Sequence, residues 1–296
     1  MNKYQSSYIK FLSKFLFPER PLKVVVDCSN GAVGPIAQKV FKNNSFLNFK
    51  FINQKPDGDF PVHGPDPLKG NAFKNLRSLV LKQRADLGVV FDADGDRAFF
   101  VDNYGRKINP DAIARLLIWH LKPKKVVIDA RTGWLITKFQ IITSKVGRYF
   151  VQKLMKEKKA DFGVEHSGHY YFKKFYFFDS GILAAVQVMN AVSKLPYSLA
   201  DFVELLPIYY SKEIDLKIKE KKDYSATLKK IQNLYKKSAK RTSYLDGLKM
   251  EIISLKGNWW FNIHFSNTES VIRLTIESDS ERILAVESKK LVKLLK

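Results

Sequence analysis

The order of apolar and polar positions divides the first part of the chain into amphipathic helices and short buried strands. Apolar side chains recur at helical spacing over residues 4–17, which predicts a first helix. Apolar runs between polar turns predict further elements, namely strands at 23–27, 49–53, 86–91 and 98–102 and helices at 33–41 and 68–83. Alternation of strands and helices is typical of a layered α/β domain.

The same alternation starts again after residue 105. It predicts helices at 112–120, 150–156 and 182–192 and strands at 126–129 and 161–164. Strands 23–27 and 126–129 both end in an aspartate followed by a polar turn. The pattern therefore predicts two similar layered α/β domains in tandem, over residues 1–105 and 106–209.

After Pro207 the pattern changes, because strands follow one another between two helices. Strands are predicted at 213–219, 249–253, 259–265 and 271–277, and helices at 225–237 and 281–295. This arrangement predicts a smaller α+β domain over residues 210–296.

Composition excludes several classes of protein. The chain has 296 residues, of which 45% are hydrophobic, so it can bury real cores and is not globally disordered. Its single cysteine, Cys28, excludes a disulfide framework and a multi-cysteine zinc site, and fits a reducing cytoplasm. We expect no membrane segment, because no run approaches the roughly 18 apolar residues that span a bilayer.

The net charge is strongly positive, at +22. Such a surface attracts anions, including nucleic acids and phosphorylated metabolites. The sequence contains no block of six like charges and no recognised nucleic-acid motif. We therefore interpret the charge as a lysine-rich solvated surface and do not expect a nucleic-acid partner.

Residues 92–97 (DADGDR) follow a predicted buried strand and carry three carboxylates at alternate positions. Two carboxylates about 5 Å apart repel by roughly 3 kcal/mol at an effective dielectric of about 20. Gly95 allows the loop to curl and bring the three together, and an all-oxygen set suits Mg²⁺. A calcium EF-hand is excluded, because its glycine and glutamate positions hold Arg97 and Asn103. A polar hairpin turn is the alternative.

Two further loops carry hydrogen-bonding groups. Residues 163–169 (GVEHSGH) place an acid, a hydroxyl and two imidazoles between glycines, a set that can bind sugar hydroxyls, and His169 could move a proton. Residues 266–270 (SNTES) lie between predicted strands, with Arg273 nearby to clamp a phosphate. A turn histidine with a structural role and an ordinary hairpin are the respective alternatives.

In their order and separation, the three loops resemble those of the α-D-phosphohexomutase family, most closely its phosphomannomutase/phosphoglucomutase branch. Residues 27–31 (DCSNG) and the proline-rich segment 56–68 add to the resemblance. The resemblance implies a Mg²⁺ cofactor held by Asp92, Asp94 and Asp96, and implies Arg97 and His169 as catalytic residues. It further implies a set of substrate-binding residues, namely Arg131, Arg148, Glu165, Ser167, His169, Ser266, Asn267, Thr268 and Arg273.

The family activity implied is the interconversion of hexose 6-phosphate and hexose 1-phosphate, of mannose or glucose, through a hexose bisphosphate. A phosphoserine in a T-[AS]-S-H-N-P loop of the family's first domain transfers the phosphoryl group. This sequence contains no such loop. We therefore expect a truncated chain that corresponds to domains two to four and needs a separate serine-domain polypeptide.

Three positions depart from the family pattern. His264 and Ser270 stand where the family has an arginine and a proline, and Arg148 stands where some relatives have a histidine. A histidine is mostly neutral at neutral pH, which weakens the expected phosphate clamp. These departures leave two alternatives open: a non-catalytic sugar-phosphate-binding remnant of the family, and a basic nucleic-acid-associated protein on an old enzyme scaffold.

Overall fold

The computed structural model describes residues 3–42, 44–136, 139–218, 224–266 and 270–296, which form three β-sheets with helices between and beside them. The helices are α1 (Lys3–Ser13), α2 (Gly34–Phe41), α3 (Ala72–Gln83), α4 (Pro110–Leu121), α5 (Arg148–Lys158), α6 (Gly181–Lys194), α7 (Leu199–Glu204), α8 (Tyr224–Tyr235) and α9 (Glu281–Leu295). The strands are β1 (Leu22–Asp27), β2 (Leu47–Ile52), β3 (Leu87–Phe91), β4 (Ala98–Asp102), β5 (Val126–Asp129), β6 (Ile141–Ser144), β7 (Phe162–Val164), β8 (Tyr170–Phe172), β9 (Phe178–Asp179), β10 (Tyr210–Lys217), β11 (Ala239–Ser243), β12 (Leu248–Ile252), β13 (Trp259–Phe265) and β14 (Val271–Ser278).

The first two sheets share one topology. The first has the order β2-β1-β3-β4 and the second β6-β5-β7-β8-β9. In each sheet the first three strands are parallel and the fourth runs antiparallel to the third. The expectation of two similar layered α/β units in tandem is therefore confirmed.

One hydrophobic core joins the two units. Its members come from both sheets and from α1, α2, α4 and α6, all of which contribute buried apolar side chains. The outer face of the first sheet is covered by α3, and the outer face of the second by α5. The two sheets are thereby held as neighbouring layers, which fixes the loops at their edges relative to each other.

The third sheet is antiparallel, in the order β10-β14-β13-β12-β11. Trp259, Phe261 and Ile263 on β13 pack with α8 and α9 on one face. Trp260 and His264, at alternate positions on the same strand, are also buried. Because alternate side chains of a strand point to opposite faces, the second face of this sheet is covered as well. Contacts described below show that the loop after β5 covers it.

The structure shortens the first predicted helix. Helix α1 ends at Ser13 rather than at residue 17. The amide of Phe17 donates to Asn190 Oδ1 at 2.8 Å, and Asn190 Nδ2 donates to the Phe15 carbonyl at 2.6 Å. The first of these bonds takes the Phe17 amide, which a helix extended to residue 17 would use. Strands β6, β8, β9 and β11 and helix α7 were not predicted.

Among the described residues, no helix is long and apolar enough to cross a lipid bilayer.

Candidate active site

Loops from the first two sheets meet at the carboxyl ends of their parallel strands. The loop after β3 holds residues 92–97, and the loop after β7 holds residues 165–169. The Ala98 amide donates to the Gly168 carbonyl at 3.2 Å, and the Gly181 amide donates to the Gly95 carbonyl at 3.0 Å. Two predicted loops that lie about 70 residues apart in sequence are thus joined through their backbones, at the edge where open α/β sheets bind ligands.

The three aspartates of residues 92–97, which we call the aspartate loop, lie close together. Candidate ligand oxygens of Asp92, Asp94 and Asp96 lie within 4.8 Å of one another. Asp92 is 3% exposed and accepts hydrogen bonds from the amides of Gly95 and Arg97, each at 3.1 Å. Arg97 Nε also donates to Asp92 at 2.6 Å. Three carboxylates this close, with oxygen as the donor atom throughout, fit a divalent cation such as Mg²⁺.

Two opposing effects act on the pKa of the Asp92 carboxyl. Burial raises its pKa, and the neighbouring Arg97 guanidinium works against that rise. Arg97 also lies 3.4 Å from Asp66, on the proline-rich segment. The predicted catalytic arginine is therefore fixed at the mouth of the aspartate loop by carboxylates on both sides.

A second acidic group faces the first from the other sheet. Asp96, His169 and Asp179 offer ligand atoms within 4.8 Å of one another. Arg148 contacts both carboxylates: its Nη2 pairs with Asp96, and its Nε lies 2.9 Å from Asp179. Arg148 was predicted as a substrate-binding residue, and the structure places it directly against the aspartate loop.

The loop after β7 is organised around the buried Glu165. This residue is 2% exposed and accepts hydrogen bonds from the Gly147 amide at 2.8 Å and the Tyr171 hydroxyl at 2.5 Å. His169 Nδ1 lies 3.0 Å from Ser167 Oγ and 3.5 Å from Glu165 Oε2. Burial lowers the pKa of His169, so its ring is neutral at neutral pH. The sugar contacts predicted for Glu165 and Ser167 stay predictions.

Two of the predicted substrate-binding arginines, Arg131 and Arg273, already have carboxylate partners. Arg273 donates from Nε and Nη2 to the two oxygens of Asp215, at 2.7 and 2.8 Å. Arg131 is 3% exposed and pairs with Asp129 at 3.0 Å and Glu213 at 3.2 Å. A phosphate that binds either guanidinium has to compete with these carboxylates.

Two of the predicted phosphate-loop residues, Asn267 and Thr268, lie outside the described residues. The amide of the preceding Ser266 donates to the Val271 carbonyl at 3.0 Å. His264, two residues earlier, is 2% exposed, and burial lowers its pKa. The neutral ring does not supply the positive charge that an arginine would.

The third sheet is attached to the second through polar contacts near these loops. Glu277 Oε1 accepts hydrogen bonds from the Trp134 amide and from Trp260 Nε1, each at 2.8 Å. Lys249 Nζ donates to the Ala130 carbonyl at 2.6 Å, and the Val146 amide donates to Asp246 Oδ2 at 3.0 Å. The phosphate loop is therefore carried by a sheet that is bonded to the loops after β5 and β6.

Sequence reasoning missed several residues of the site. Asp179 comes from the short strand β9, which has no strong local pattern. Glu213 and Asp215 are two residues apart on β10, so the sequence predicts that they share one face of the strand. It does not predict which arginines lie opposite them. His166 was noticed only as part of its loop; its Nδ1 lies 3.4 Å from the fully buried Asp111.

Comparisons with known proteins identify the family of the chain. Residues 6–105 match the description "Phosphoglucomutase/phosphomannomutase, alpha/beta/alpha domain II", and residues 109–209 match domain III of the same family. The chain belongs to the phosphoglucomutase/phosphomannomutase family. The resemblance inferred from the three loops is confirmed.

Curated members of this family align with most of the chain. A phosphomannomutase of Methanocaldococcus jannaschii is 36% identical over 273 residues, which cover 88% of this chain and 59% of that protein. Phosphohexose mutases of Xanthomonas campestris pv. campestris are 32% identical over 279 residues, covering 90% of this chain and 60% of theirs. The chain spans about six-tenths of the length of these relatives.

Solved structures show the same fold. A phosphoglucomutase/phosphomannomutase family protein from Burkholderia thailandensis superimposes with a TM-score of 0.84 at 25% identity, over 99% of this chain and 64% of that one. Aspergillus fumigatus N-acetylphosphoglucosamine mutase, solved with GlcNAc-6P and magnesium, has a TM-score of 0.67 at 16% identity, over 98% of this chain and 64% of that one.

Proposed function

We propose that the chain forms the metal-, sugar- and phosphate-binding part of a phosphohexomutase that interconverts hexose 6-phosphate and hexose 1-phosphate, of mannose or glucose. One observation carries the proposal: the aspartate loop and the loop of residues 165–169, from separate sheets, are joined by backbone bonds. His169 Nε2 lies 3.5 Å from Asp96 as a result. In this proposal, residues 1–105, 106–209 and 210–296 correspond to domains two, three and four.

The proposed metal is Mg²⁺, held by Asp92, Asp94 and Asp96. The mutual proximity of the three carboxylates supports this assignment, since oxygen ligands suit Mg²⁺, an ion that typically keeps further positions for water and phosphate oxygens. When bound, the ion supplies positive charge that stabilises the transferring phosphoryl group.

The chain's own residues would position and polarise the substrate. Arg97, at the mouth of the aspartate loop, adds a fixed positive charge beside the moving phosphoryl group. Neutral His169 takes the proton of the sugar hydroxyl that attacks the phosphoryl group, and Glu165 holds its ring in place. The remaining predicted ligands bind the sugar or orient its non-reacting phosphate: Arg131, Arg148, Ser167, Ser266, Asn267, Thr268 and Arg273.

The proposed reaction also needs a phosphoserine, and the serine loop typical of the family is not among these 296 residues. We infer that a serine-bearing domain outside these 296 residues supplies it, in the cytoplasm. The substrates in this scheme are the hexose phosphate and the corresponding hexose bisphosphate.

A coupled assay tests the scheme. The purified chain is mixed with glucose 1-phosphate or mannose 1-phosphate and the matching 1,6-bisphosphate, with and without the serine domain of a family member. We expect turnover only when the serine domain is added. Turnover by the chain alone would contradict the need for a serine domain, and binding without turnover in either mixture would overturn the enzymatic proposal.

The metal assignment has its own test, by calorimetric titration with Mg²⁺. We expect Asp94→Ala to weaken Mg²⁺ binding at least tenfold while the fold is kept, because removing one of three clustered anions also relieves repulsion. The control is Asp59→Ala, an exposed aspartate of the proline-rich segment. Equal Mg²⁺ affinity in the two variants would contradict the assignment.

A non-catalytic sugar-phosphate-binding protein is the second candidate. The neutral, buried His264 favours it, since the position two residues before Ser266 carries no positive charge. The coupled assay separates the two candidates, because only the first predicts product in the presence of a serine domain.

A further inference from the structure

Two segments of the chain, the turn after β1 and the proline-rich segment, flank the aspartate loop without supplying any of its proposed metal ligands. Both bond to Ala93, which stands between two of the three aspartates. The Ala32 amide, in the turn after β1, donates to the Ala93 carbonyl at 2.8 Å. The Ala93 amide donates to the Pro65 carbonyl, on the proline-rich segment, at 3.0 Å. The backbone of the aspartate loop is therefore held from both sides.

The turn after β1 fits closely against this loop. A Cβ atom on Gly31 would lie 2.2 Å from the Ala93 carbonyl oxygen, so a larger residue there would displace one of the two backbones. Ser29 Oγ donates to the carbonyl of Phe91, the last residue of β3, at 2.5 Å. The turn thus contacts the aspartate loop both where it begins and at Ala93.

The buried carboxylate of Asp27 connects the two flanking segments. Its Oδ1 accepts hydrogen bonds from the Ser29 amide at 2.9 Å and from Asn53 Nδ2 at 3.0 Å. Its Oδ2 lies 3.2 Å from Nε2 of His63, on the proline-rich segment, and the side chains of Asp27 and His63 are 0% and 1% exposed. This pair fixes the proline-rich segment to the end of β1, two residues before Pro65.

The hydrogen-bond partners of His63 favour its charged form. Nε2 faces the Asp27 carboxylate, and Nδ1 lies 3.1 Å from the Gly64 carbonyl oxygen. Carboxylate and carbonyl oxygens only accept hydrogen bonds, so a ring that bonds both must donate from both nitrogens. The hydrogen bond to Asp27 accordingly raises the pKa of His63. Hydrogen bonds between charged groups are stronger than neutral ones, which suits this pair to hold a loop in place.

We propose that Asp27 and His63 are positioning residues for the metal site: their ion pair holds Ala93, and with it the three aspartates, in the arrangement that binds Mg²⁺. The inference rests on the proposed function, because it needs the aspartate loop to bind Mg²⁺. The pair acts through the backbone, from His63 through Pro65 to Ala93. Residues that orient metal ligands typically change metal affinity by a factor of about ten or more when they are removed.

Calorimetric titration with Mg²⁺ tests the role of His63. We expect His63→Ala to weaken Mg²⁺ binding roughly tenfold, and His63→Gln, which keeps a hydrogen-bond donor, to recover most of the loss. Leu291→Ala controls for lost stability, because Leu291 is fully buried in the separate core of the third sheet. Equal losses of Mg²⁺ affinity in His63→Ala and Leu291→Ala would overturn the proposal.

A double-mutant cycle tests whether the two residues act as a pair. We expect Asp27→Asn to weaken Mg²⁺ binding as well, and the double variant Asp27→Asn/His63→Ala to bind little more weakly than His63→Ala, because residues in one interaction are not additive. Additive losses would show that the two side chains act independently and would contradict the proposal.

A glycine variant tests the hold on Ala93 without removing a buried charge. Gly31→Ala places a methyl group against the Ala93 carbonyl, so we expect weaker Mg²⁺ binding. The matched control is Gly58→Ala on the proline-rich segment, where a Cβ atom would meet no described atom within 4 Å. The same Mg²⁺ affinity in both variants would contradict the hold on Ala93.

Hydrogen exchange separates this inference from the proposed function. We expect the Ala93 amide to exchange about tenfold faster in His63→Ala than in wild type, while the Val89 amide of β3 reports any global unfolding. If Asp94→Ala loses Mg²⁺ binding but His63→Ala keeps both the affinity and the Ala93 exchange rate of wild type, the metal assignment stands and the positioning role is wrong. If wild type does not bind Mg²⁺, the metal assignment itself fails, and this inference falls with it.

Discussion

Two regions of the site differ in how their charges are partnered. We call residues 92–97 and 165–169, with Arg148 and Asp179, the metal–sugar region, and His264, Ser266, Arg273 and Arg131 the phosphate region. In the metal–sugar region carboxylates outnumber cations: three aspartates gather on one loop, and only Arg97 and Arg148 of the described residues in this region pair with them. In the phosphate region both arginines are held by carboxylates of β5 or β10.

The difference teaches that a motif predicts where a charge is, but not what it is free to bind. Three aspartates on one loop repel each other wherever the rest of the chain lies, so their demand for a cation follows from local sequence. An arginine binds a phosphate only if no nearer anion competes for its guanidinium. In the phosphate region, Asp215 and Glu213 are such competitors.

The largest effect is expected in the metal–sugar region, from Glu165→Ala. The change removes the buried acceptor of the Gly147 amide and the Tyr171 hydroxyl. Leaving two buried donors without a partner costs about 3 kcal/mol of the free energy of unfolding. Urea denaturation measures the loss.

The control for this prediction is Glu157→Ala on α5, whose side chain is 52% exposed. A surface substitution of this kind changes stability by at most about 0.5 kcal/mol. If the two variants lose equal stability, Glu165 does not organise its loop.

A smaller loss of stability is expected from Glu277→Ala. Glu277 helps to attach the third sheet, which carries most of the phosphate region, to the second. Glu277 bonds the loop after β5 to β13, so its removal loosens the third sheet and costs about 2 kcal/mol. We expect weaker binding of glucose 6-phosphate and unchanged Mg²⁺ affinity. Glu277→Gln, which keeps one acceptor oxygen, should recover most of the loss; a variant that weakens both ligands equally would contradict the division into two regions.

The sequence predicts the metal–sugar region well, because its signals are local. The tandem α/β pattern needs only the period of apolar residues, and the aspartate loop needs only the spacing around Gly95. Short edge strands such as β6 and β11 give no comparable signal, since four or five residues with mixed polarity are also typical of loops.

The phosphate region depends on contacts that no local pattern contains. Asp215 lies directly opposite Arg273 only because β10 pairs antiparallel with β14 in one register. The shortened α1 has a similar cause, since Asn190 lies more than 170 residues away from the backbone that it binds. Long-range pairings therefore decide which predicted ligands keep their charge available.

We expect His166, which lies in the loop after β7, to make the free energy of unfolding depend on pH. Burial opposes its charge, but the Asp111 carboxylate outweighs burial and raises the pKa of His166 to about 9. The unfolded value is about 6.5, so the stabilisation is fully present below about pH 6.5 and is lost as the pH rises through about 9. We expect wild type to lose roughly 2 to 3 kcal/mol more than His166→Asn between these limits.

Urea denaturation at pH 6 and pH 9.5 measures this difference. Subtracting the variant removes the contributions of other groups, including Lys249, whose pKa burial lowers to about 8. The same pH dependence in wild type and variant would show that the ion pair with Asp111 does not form.

The smallest effect is expected from Asp215→Asn, which would make the phosphate region resemble an ordinary anion site. Asp215 and Arg273 are partly exposed, so their pair is worth less than about 1 kcal/mol, and removing the competing charge should tighten glucose 6-phosphate binding about threefold. Affinity for free glucose should not change.

Asp59→Asn, which makes the same change at an exposed position, controls for net charge. In the double variant Asp215→Asn/Arg273→Ala the gain should disappear; if it persists, Arg273 does not bind the phosphate, and the two regions differ in function as well as in charge.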